Sequence, residues 1–193
     1  MEKDLQKVIP LNIVMTYPVN WGKYQVIRDF VQNFYDSVGY EKWKEKFRYE
    51  YLNDELSMWV DDITFSYEWL LHIGASTKTS YSQKYAGYFG EGFKIASLCA
   101  KRDYHWEINM RSADWSLDVD FIDEYIDNTL IKMMAFILNT VHHSNMSKLT
   151  LSNFSEYDYR IFVEVLDSFY YPQNILMGKV IWADDNKSNI FIF

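Results

Sequence analysis

Cysteine, proline and glycine are scarce in this chain of 193 residues, which has one, three and seven of them. A lone cysteine, Cys99, excludes an intramolecular disulfide and a cysteine-rich metal site, and so favours a reducing compartment. The net charge of −8 argues against a broad nucleic-acid-binding face, because such a face needs clustered basic residues. Neither a signal peptide nor an apolar run of about 20 residues is visible. We therefore expect a cytoplasmic protein that contacts neither membrane nor nucleic acid directly.

The chain has what a large hydrophobic core needs. Hydrophobic residues make up 49% of it and aromatic residues 19%. No repeat or low-complexity linker divides it, so we expect one domain over residues 1–193. Because the sequence ends on an apolar strand pattern at 190–193, this is either a domain excised from a longer chain or a small stand-alone protein.

A cluster of glycines is the most informative feature of the sequence. Gly74, Gly87, Gly90 and Gly92 fall within 19 residues, which is four of the seven glycines in the chain. Glycine permits positive φ and close approach of the backbone to a ligand. The cluster is typical either of a loop that wraps a phosphate chain or of an ordinary turn.

A helix pattern about 60 residues upstream carries the second feature. Its apolar residues recur at helical spacing, and Asp29, Asn33 and Asp36 share one stripe because they are four and three residues apart. Carboxylate and amide oxygens are ligands suited to hydrated Mg²⁺. The alternative is a helix face that is simply solvated.

Two shorter segments lie between these features. Met58 and Val60 alternate into Asp61 and Asp62, as at the end of a half-buried strand. Residues 69–78 then run from a short helix pattern into a Gly-Ala-Ser-Thr-Lys segment.

In this order the four motifs resemble the GHKL ATPase superfamily, which includes the ATP-binding domains of Hsp90, DNA gyrase B, MutL, MORC proteins and histidine kinases. Residues 29–33 resemble its Glu-x-x-x-Asn box, 61–62 lie where its adenine-reading aspartate belongs, and 73–78 resemble the Ile-Gly-x-Ser-x-Lys segment. Residues 87–94 resemble its Gly-x-Phe-Gly-x-Gly-x-Lys box. The resemblance covers about residues 20–110.

Runs of strands with helices on one side favour an α+β fold, a two-layer α/β sandwich with a mixed, mostly antiparallel sheet and helices on one face. The resemblance implies the same fold. It also implies Mg²⁺ and ATP as ligands. Asp29 would be the catalytic base and Asn33 the Mg²⁺ ligand, and either Asp61 or Asp62 would read adenine. The remaining cofactor-binding residues would be Asp36, Gly74, Ser76, Thr77, Lys78, Gly87, Phe89, Gly90, Gly92 and Lys94.

Two departures from the family pattern bear on activity. Asp29 stands where most members have glutamate, and a displacement of about an ångström can cost on the order of 100-fold in rate. Residues 61–65 lack both glycines of the family's Asp-x-Gly-x-Gly box. We therefore expect an ATP-binding domain with weak or partner-dependent hydrolysis that switches a lid and an interface with a protein partner or with a second copy. The rival hypothesis is a non-catalytic interaction module that has lost its nucleotide.

The remainder predicts further strands and one helix. Residues 104–111 and 115–121 alternate like two strands with a turn at 112–114, whereas 125–140 fits either a strand and a helix or a single helix. Residues 148–152 read as a strand. A capped helix is expected from Ser155 to about Tyr170, and a final hairpin from 179–182 and 189–193.

Overall fold

The fold was taken from a computed structural model, which describes residues 6–71, 91–171, 180–183 and 190–192. Its helices are α1 (Lys23–Val38), α2 (Trp43–Lys46), a 3-10 helix (Tyr67–Leu70), α3 (Glu91–Asp103) and α4 (Glu156–Asp167). Its strands are β1 (Lys7–Val14), β2 (Phe47–Leu52), β3 (Glu55–Asp61), β4 (Glu107–Ile126), β5 (Thr129–Ser152), β6 (Val180–Ala183) and β7 (Ile190–Ile192). The α+β class is therefore confirmed.

The long strand β5 organises the main sheet. Its first half pairs with β1, where Lys7 lies opposite Leu138, and its second half pairs with β3, where Glu55 lies opposite Ser152. β2 pairs with β3, and β4 pairs with both halves of β5. Every pairing described is antiparallel, as the sequence predicted, and β6 pairs with β7 as the expected final hairpin.

β4 folds back on itself near Ala113. Its register with β5 shifts on both sides of this residue, whose φ is +50°. Asn109 donates a hydrogen bond of 2.7 Å to Asp118, nine residues along the same strand. A straight strand would place them about 30 Å apart. The sequence predicted two separate strands here; the structure has one irregular strand, and the predicted turn at 112–114 corresponds to its fold.

The prediction of a helix within 125–140 is wrong, because this stretch forms the hairpin between β4 and β5. Asp127 and Asn128 at its tip both have positive φ, at 46° and 64°. Two such residues form the turn whose twist matches a tight hairpin, and Asp and Asn tolerate this conformation. The pair Asp127-Asn128 is a turn signal, which the mixed pattern of apolar and polar residues around it obscured.

The core lies between one face of the sheet and the three longer helices. Phe30 of α1 packs on Phe93 of α3, with ring centroids 5.6 Å apart, and Phe93 in turn packs on Phe136 of β5. Phe162 of α4 meets Tyr49 of β2 edge-on at 5.1 Å. Cys99 is fully buried, as expected of an inert thiol.

The start of α4 is held by Asp158, which is only 2% exposed. Ser155 and Asp158 form the predicted capping box. Asp158 also accepts an ion-paired hydrogen bond from Lys23, at the start of α1, and one of 3.3 Å from Trp106 Nε1. The carboxylate therefore joins two helix starts to the core. The helix ends at Asp167, a turn before the predicted end.

Replacing Asp158 by alanine should lower the free energy of unfolding by about 3 kcal/mol, because it leaves the Lys23 ammonium without its carboxylate partner and removes part of the helix cap. Urea denaturation of the two proteins measures the difference. Glu156→Ala is the matched control in the same helix turn. Its exposed ion pair with Arg160 is worth at most about 1 kcal/mol. Equal losses in both variants would contradict this role for Asp158.

Candidate functional site

The positions of the candidate site residues depend on the orientation of α1. One side of this helix packs into the core through five apolar residues, all completely buried except Phe34, which is 5% exposed: Val26, Ile27, Phe30, Val31 and Phe34. Their packing leaves no freedom to rotate the helix. The predicted stripe of Asp29, Asn33 and Asp36 therefore lies at the border of this buried side, half-buried or buried rather than fully solvated.

Asp29 and Asn33 meet the start of α3. Asn33 Nδ2 donates to the backbone oxygen of Asp29 at 2.9 Å and approaches the Asp29 carboxylate at 3.5 Å. The amide oxygen of Asn33 is thus the end left to meet a cation. A Cβ atom placed on Gly92 would lie 2.5 Å from Asp29 Oδ1, so the backbone of α3 touches the carboxylate. The structure brings together three predicted site residues from two separate motifs.

Asp36 has a structural setting of its own. It is 8% exposed and accepts a 2.7 Å hydrogen bond from Gln32 Nε2. Burial, and secondarily the charge of Asp36, raises the pKa of the Tyr35 hydroxyl, which donates to the backbone oxygen of Tyr170. These contacts give Asp36 a role in packing, and its role toward a cofactor stays a prediction.

An apolar cavity of about 40 Å³ lies alongside Asn33. It is bounded by α1, by the segment after β3, by α3 and by the buried face of the sheet. The lining residues are Phe30, Asn33, Phe34, Ser37, Ile63, Phe65, Leu70, Phe93, Met110, Ser147 and Leu149. This volume holds roughly three water molecules. A planar aromatic ligand could enter only if the apolar side chains moved apart.

Two serines hold the segment that follows β3. Ser147 donates to the Ile63 backbone oxygen at 2.8 Å and lies 3.0 Å from the hydroxyl of Ser112. The Ser112 hydroxyl accepts from the Phe65 backbone N–H at 3.0 Å. Side chains from β4 and β5 therefore fix this wall of the cavity. Sequence reasoning missed both serines, since nothing local marks a serine on a buried strand as a support for a distant loop.

Asp61 and Asp62, one of which was predicted to read adenine, are both exposed. Asp62 has a φ of +61° and lies just past the end of β3 at Asp61. Its carboxylate accepts from Lys46 Nζ at 3.2 Å and from Asn145 Nδ2 at 3.0 Å. Neither aspartate is among the described residues that line the cavity.

Lys94 is 3% exposed and donates a 2.6 Å hydrogen bond to the backbone oxygen of Leu71. Burial lowers the pKa of its ammonium, and the nearby charge of Glu91 partly offsets this. The lysine therefore joins the start of α3 to the end of the 3-10 helix region. The Lys94 ammonium, which was predicted to contact the cofactor, is bonded in this structure to a backbone oxygen of the protein itself.

The other predicted cofactor residues lie outside the residues that the structure describes: Gly74, Ser76, Thr77, Lys78, Gly87, Phe89 and Gly90. Within the described ranges, no three His, Cys, Asp or Glu side chains are grouped to hold a metal ion. No helix described is both long and apolar enough to cross a membrane. No protein-family model matches the chain, and no curated protein is significantly similar to it.

The contact between Gly92 and Asp29 predicts that the effect of Gly92→Ala on stability changes sign when the Asp29 carboxylate is removed. Gly92→Ala should destabilise the protein, because the new methyl group displaces the Asp29 carboxylate. In an Asp29→Ala background the same change should stabilise it by roughly 0.5 kcal/mol, through the helix propensity of alanine. Urea denaturation of the four proteins measures both effects. An equal effect of Gly92→Ala in the two backgrounds would show that the residues are not in contact.

Proposed function

We propose that this chain is a Mg²⁺-dependent ATP-binding domain of the GHKL type, with weak or partner-dependent ATP hydrolysis. One observation carries the proposal. The start of α3, which ends the glycine-rich motif, touches Asp29 beside Asn33, at the border of an apolar cavity. An acid, an amide and a backbone free of side chains are thus placed together next to a space with apolar walls.

Each part of this junction suits one part of a nucleotide. Asn33 would supply an oxygen ligand to Mg²⁺, an ion that usually keeps several waters and takes few protein ligands. When bound, Mg²⁺ would neutralise charge on the phosphates. The N-terminal N–H groups of α3 would donate to phosphate oxygens. Asp29 would accept the proton of the attacking water.

Adenine would enter the apolar cavity, where Ser37 and Ser147 would provide its polar groups while Asn33 holds Mg²⁺. In this arrangement the Ser147 hydroxyl would contact the base, and the carboxylates of Asp61 and Asp62 would not. Widening the cavity costs packing energy, and binding should therefore be weak.

A second candidate, the nucleotide-free interaction module, is favoured by the position of Asp62. Its carboxylate is held by Lys46 and Asn145, and neither aspartate lines the cavity. Thermal unfolding with Mg²⁺ and ATP, ADP or a non-hydrolysable analogue separates the two hypotheses. Ligand at 100 times its Kd should stabilise the folded state by about 2.7 kcal/mol. No stabilisation at any concentration would favour the interaction module.

Removing Asn33 should abolish the effect of Mg²⁺ on nucleotide binding. Asn33→Ala deletes the amide oxygen while the apolar side of α1 keeps the helix folded, as far-UV circular dichroism can verify. Calorimetric titration of ATP with and without Mg²⁺ measures the change. Arg28→Ala, on the exposed side of the same helix, is the matched control. Unchanged Mg²⁺-ATP affinity in folded Asn33→Ala would refute the assignment.

Changes at Asp29 should separate binding from hydrolysis. Asp29→Asn keeps the shape but cannot take a proton, so ATP binding should persist while any hydrolysis is lost. Asp29→Glu restores the reach of the family's glutamate and should raise the rate, by up to about 100-fold. Phosphate release under single-turnover conditions measures both. A rate that neither change affects would mean that Asp29 is not the base.

A further inference from the structure

Three strands of the main sheet, β1, β2 and β4, each have one described neighbour, and β1 differs from β2 in how its outer edge is protected. β1 contains Pro10, which has no backbone N–H, and its register shifts between Pro10 and Val14. Proline and irregular register are the usual means by which an edge strand avoids pairing with another chain. At the other end of the described sheet, β2 pairs with β3 over six consecutive residues without a shift and contains no proline.

The turn that follows β2 determines which backbone groups face outward. Asn53 and Asp54 both have positive φ and make a two-residue turn, so Leu52 and Glu55 form the first hydrogen-bonded pair. Hydrogen bonding then alternates along the strand. Arg48, Glu50 and Leu52 direct their backbone groups toward β3. Phe47, Tyr49 and Tyr51 direct theirs toward the outer edge, where the Phe47 N–H already donates to the Trp43 oxygen and the Phe47 oxygen already accepts from Arg48. The outward groups left to meet another strand are therefore those of Tyr49 and Tyr51.

The side chains beside this edge have a self-complementary charge pattern. Arg48 and Glu50 flank Tyr49, and both are exposed. Arg48 Nη1 donates to backbone oxygens, those of Phe47 at 3.0 Å and Lys44 at 3.4 Å, so its charge is not neutralised by these contacts. Tyr49 is 43% exposed although its ring rests on Phe162.

We propose that β2 pairs antiparallel with β2 of a second copy of this chain, with Tyr49 opposite Tyr49. This register faces the outward N–H and C=O groups of Tyr49 in each strand with those of Tyr49 in the other. It also places Arg48 of each copy opposite Glu50 of the other, and Phe47 opposite Tyr51. Arg48 and Glu50 then form non-hydrogen-bonded pairs, in which side chains lie closest.

The charges select this register over its neighbours. Moving the second copy to the next hydrogen-bonding register in one direction places Arg48 opposite Arg48, and in the other direction Glu50 opposite Glu50. Like charges directly opposite are destabilising. The pairing is two-fold symmetric, so one surface serves both copies. Because a six-residue edge is smaller than a standard interface, the dimer should dissociate in the micromolar range.

Sedimentation equilibrium of the full chain over a micromolar concentration series tests the proposal. The wild type should be a reversible monomer–dimer system. Arg48→Glu and Glu50→Arg should each weaken association about tenfold, since each replaces two opposite-charge pairs by two like-charge pairs. The double variant Arg48→Glu/Glu50→Arg restores opposite charges and should restore dimerisation.

Arg160→Glu is the matched control, because it reverses an equally exposed charge on α4 without touching β2. It should leave the dimer unchanged, and circular dichroism should show all variants folded. A wild type that stays monomeric throughout the series would overturn the proposal. So would a dimer that the single changes do not weaken, or a double variant that does not recover.

Discussion

The packing of α1 against the sheet is the constraint on which the candidate site depends. Its apolar side is completely buried between the sheet, α3 and α4, and this determines the rotation of the helix about its axis. Because the polar stripe is built on the same helix, burial of Phe30 and Val31 also determines where Asp29 and Asn33 lie. The packing that stabilises α1 therefore also positions the Asp29 and Asn33 side chains that are proposed to act on the nucleotide. The same burial makes Gly92 necessary, since the helices approach so closely that a methyl group there would meet Asp29.

The wall of the cavity that follows β3 is supported by side chains of the sheet. Glycines that would let the backbone pass near a ligand are absent from residues 61–65. In their place, the hydroxyls of Ser112 and Ser147 hold Ile63 and Phe65 from the sheet side. Buried hydroxyls bonded to backbone groups rigidify a segment, because breaking them would strand polar atoms away from water. This wall is consequently stiff, which suits either a selective pocket or a fixed interaction surface.

Local patterns were sufficient to predict several elements from sequence. The helical stripe of α1 and the cap at Ser155 depend on residues close together on one helix, and the final hairpin depends on two short strand patterns that are near each other in sequence. The fold class could also be predicted, since alternation of strands and helices survives without tertiary detail. The hairpin of β4 and β5 could not be predicted from periodicity, because both strands are long and partly buried, and Asp127 and Asn128 are the only local turn signal.

The candidate site was predictable only where its residues lie on one helix or in one motif. Asp61 and Asp62 were both candidates to read adenine, but Asp62 has a positive φ and bonds to Lys46 and Asn145, which are 16 and 83 residues away in sequence. Ser147 could not be found for the same reason. The burial of Lys94 likewise depends on Leu71, 23 residues earlier. Contacts of this kind are decided by tertiary packing, which a single sequence does not display.

The central claim is that a divalent cation and ATP bind where α1 meets α3. It is tested most directly by replacing Mg²⁺ with paramagnetic Mn²⁺ and recording amide NMR spectra with ATP. The account predicts selective broadening of the amides of residues 29–33 and 91–93, which depends on ATP and disappears in Asn33→Ala. Broadening confined to other acidic surfaces, or none at any ATP concentration, would contradict it.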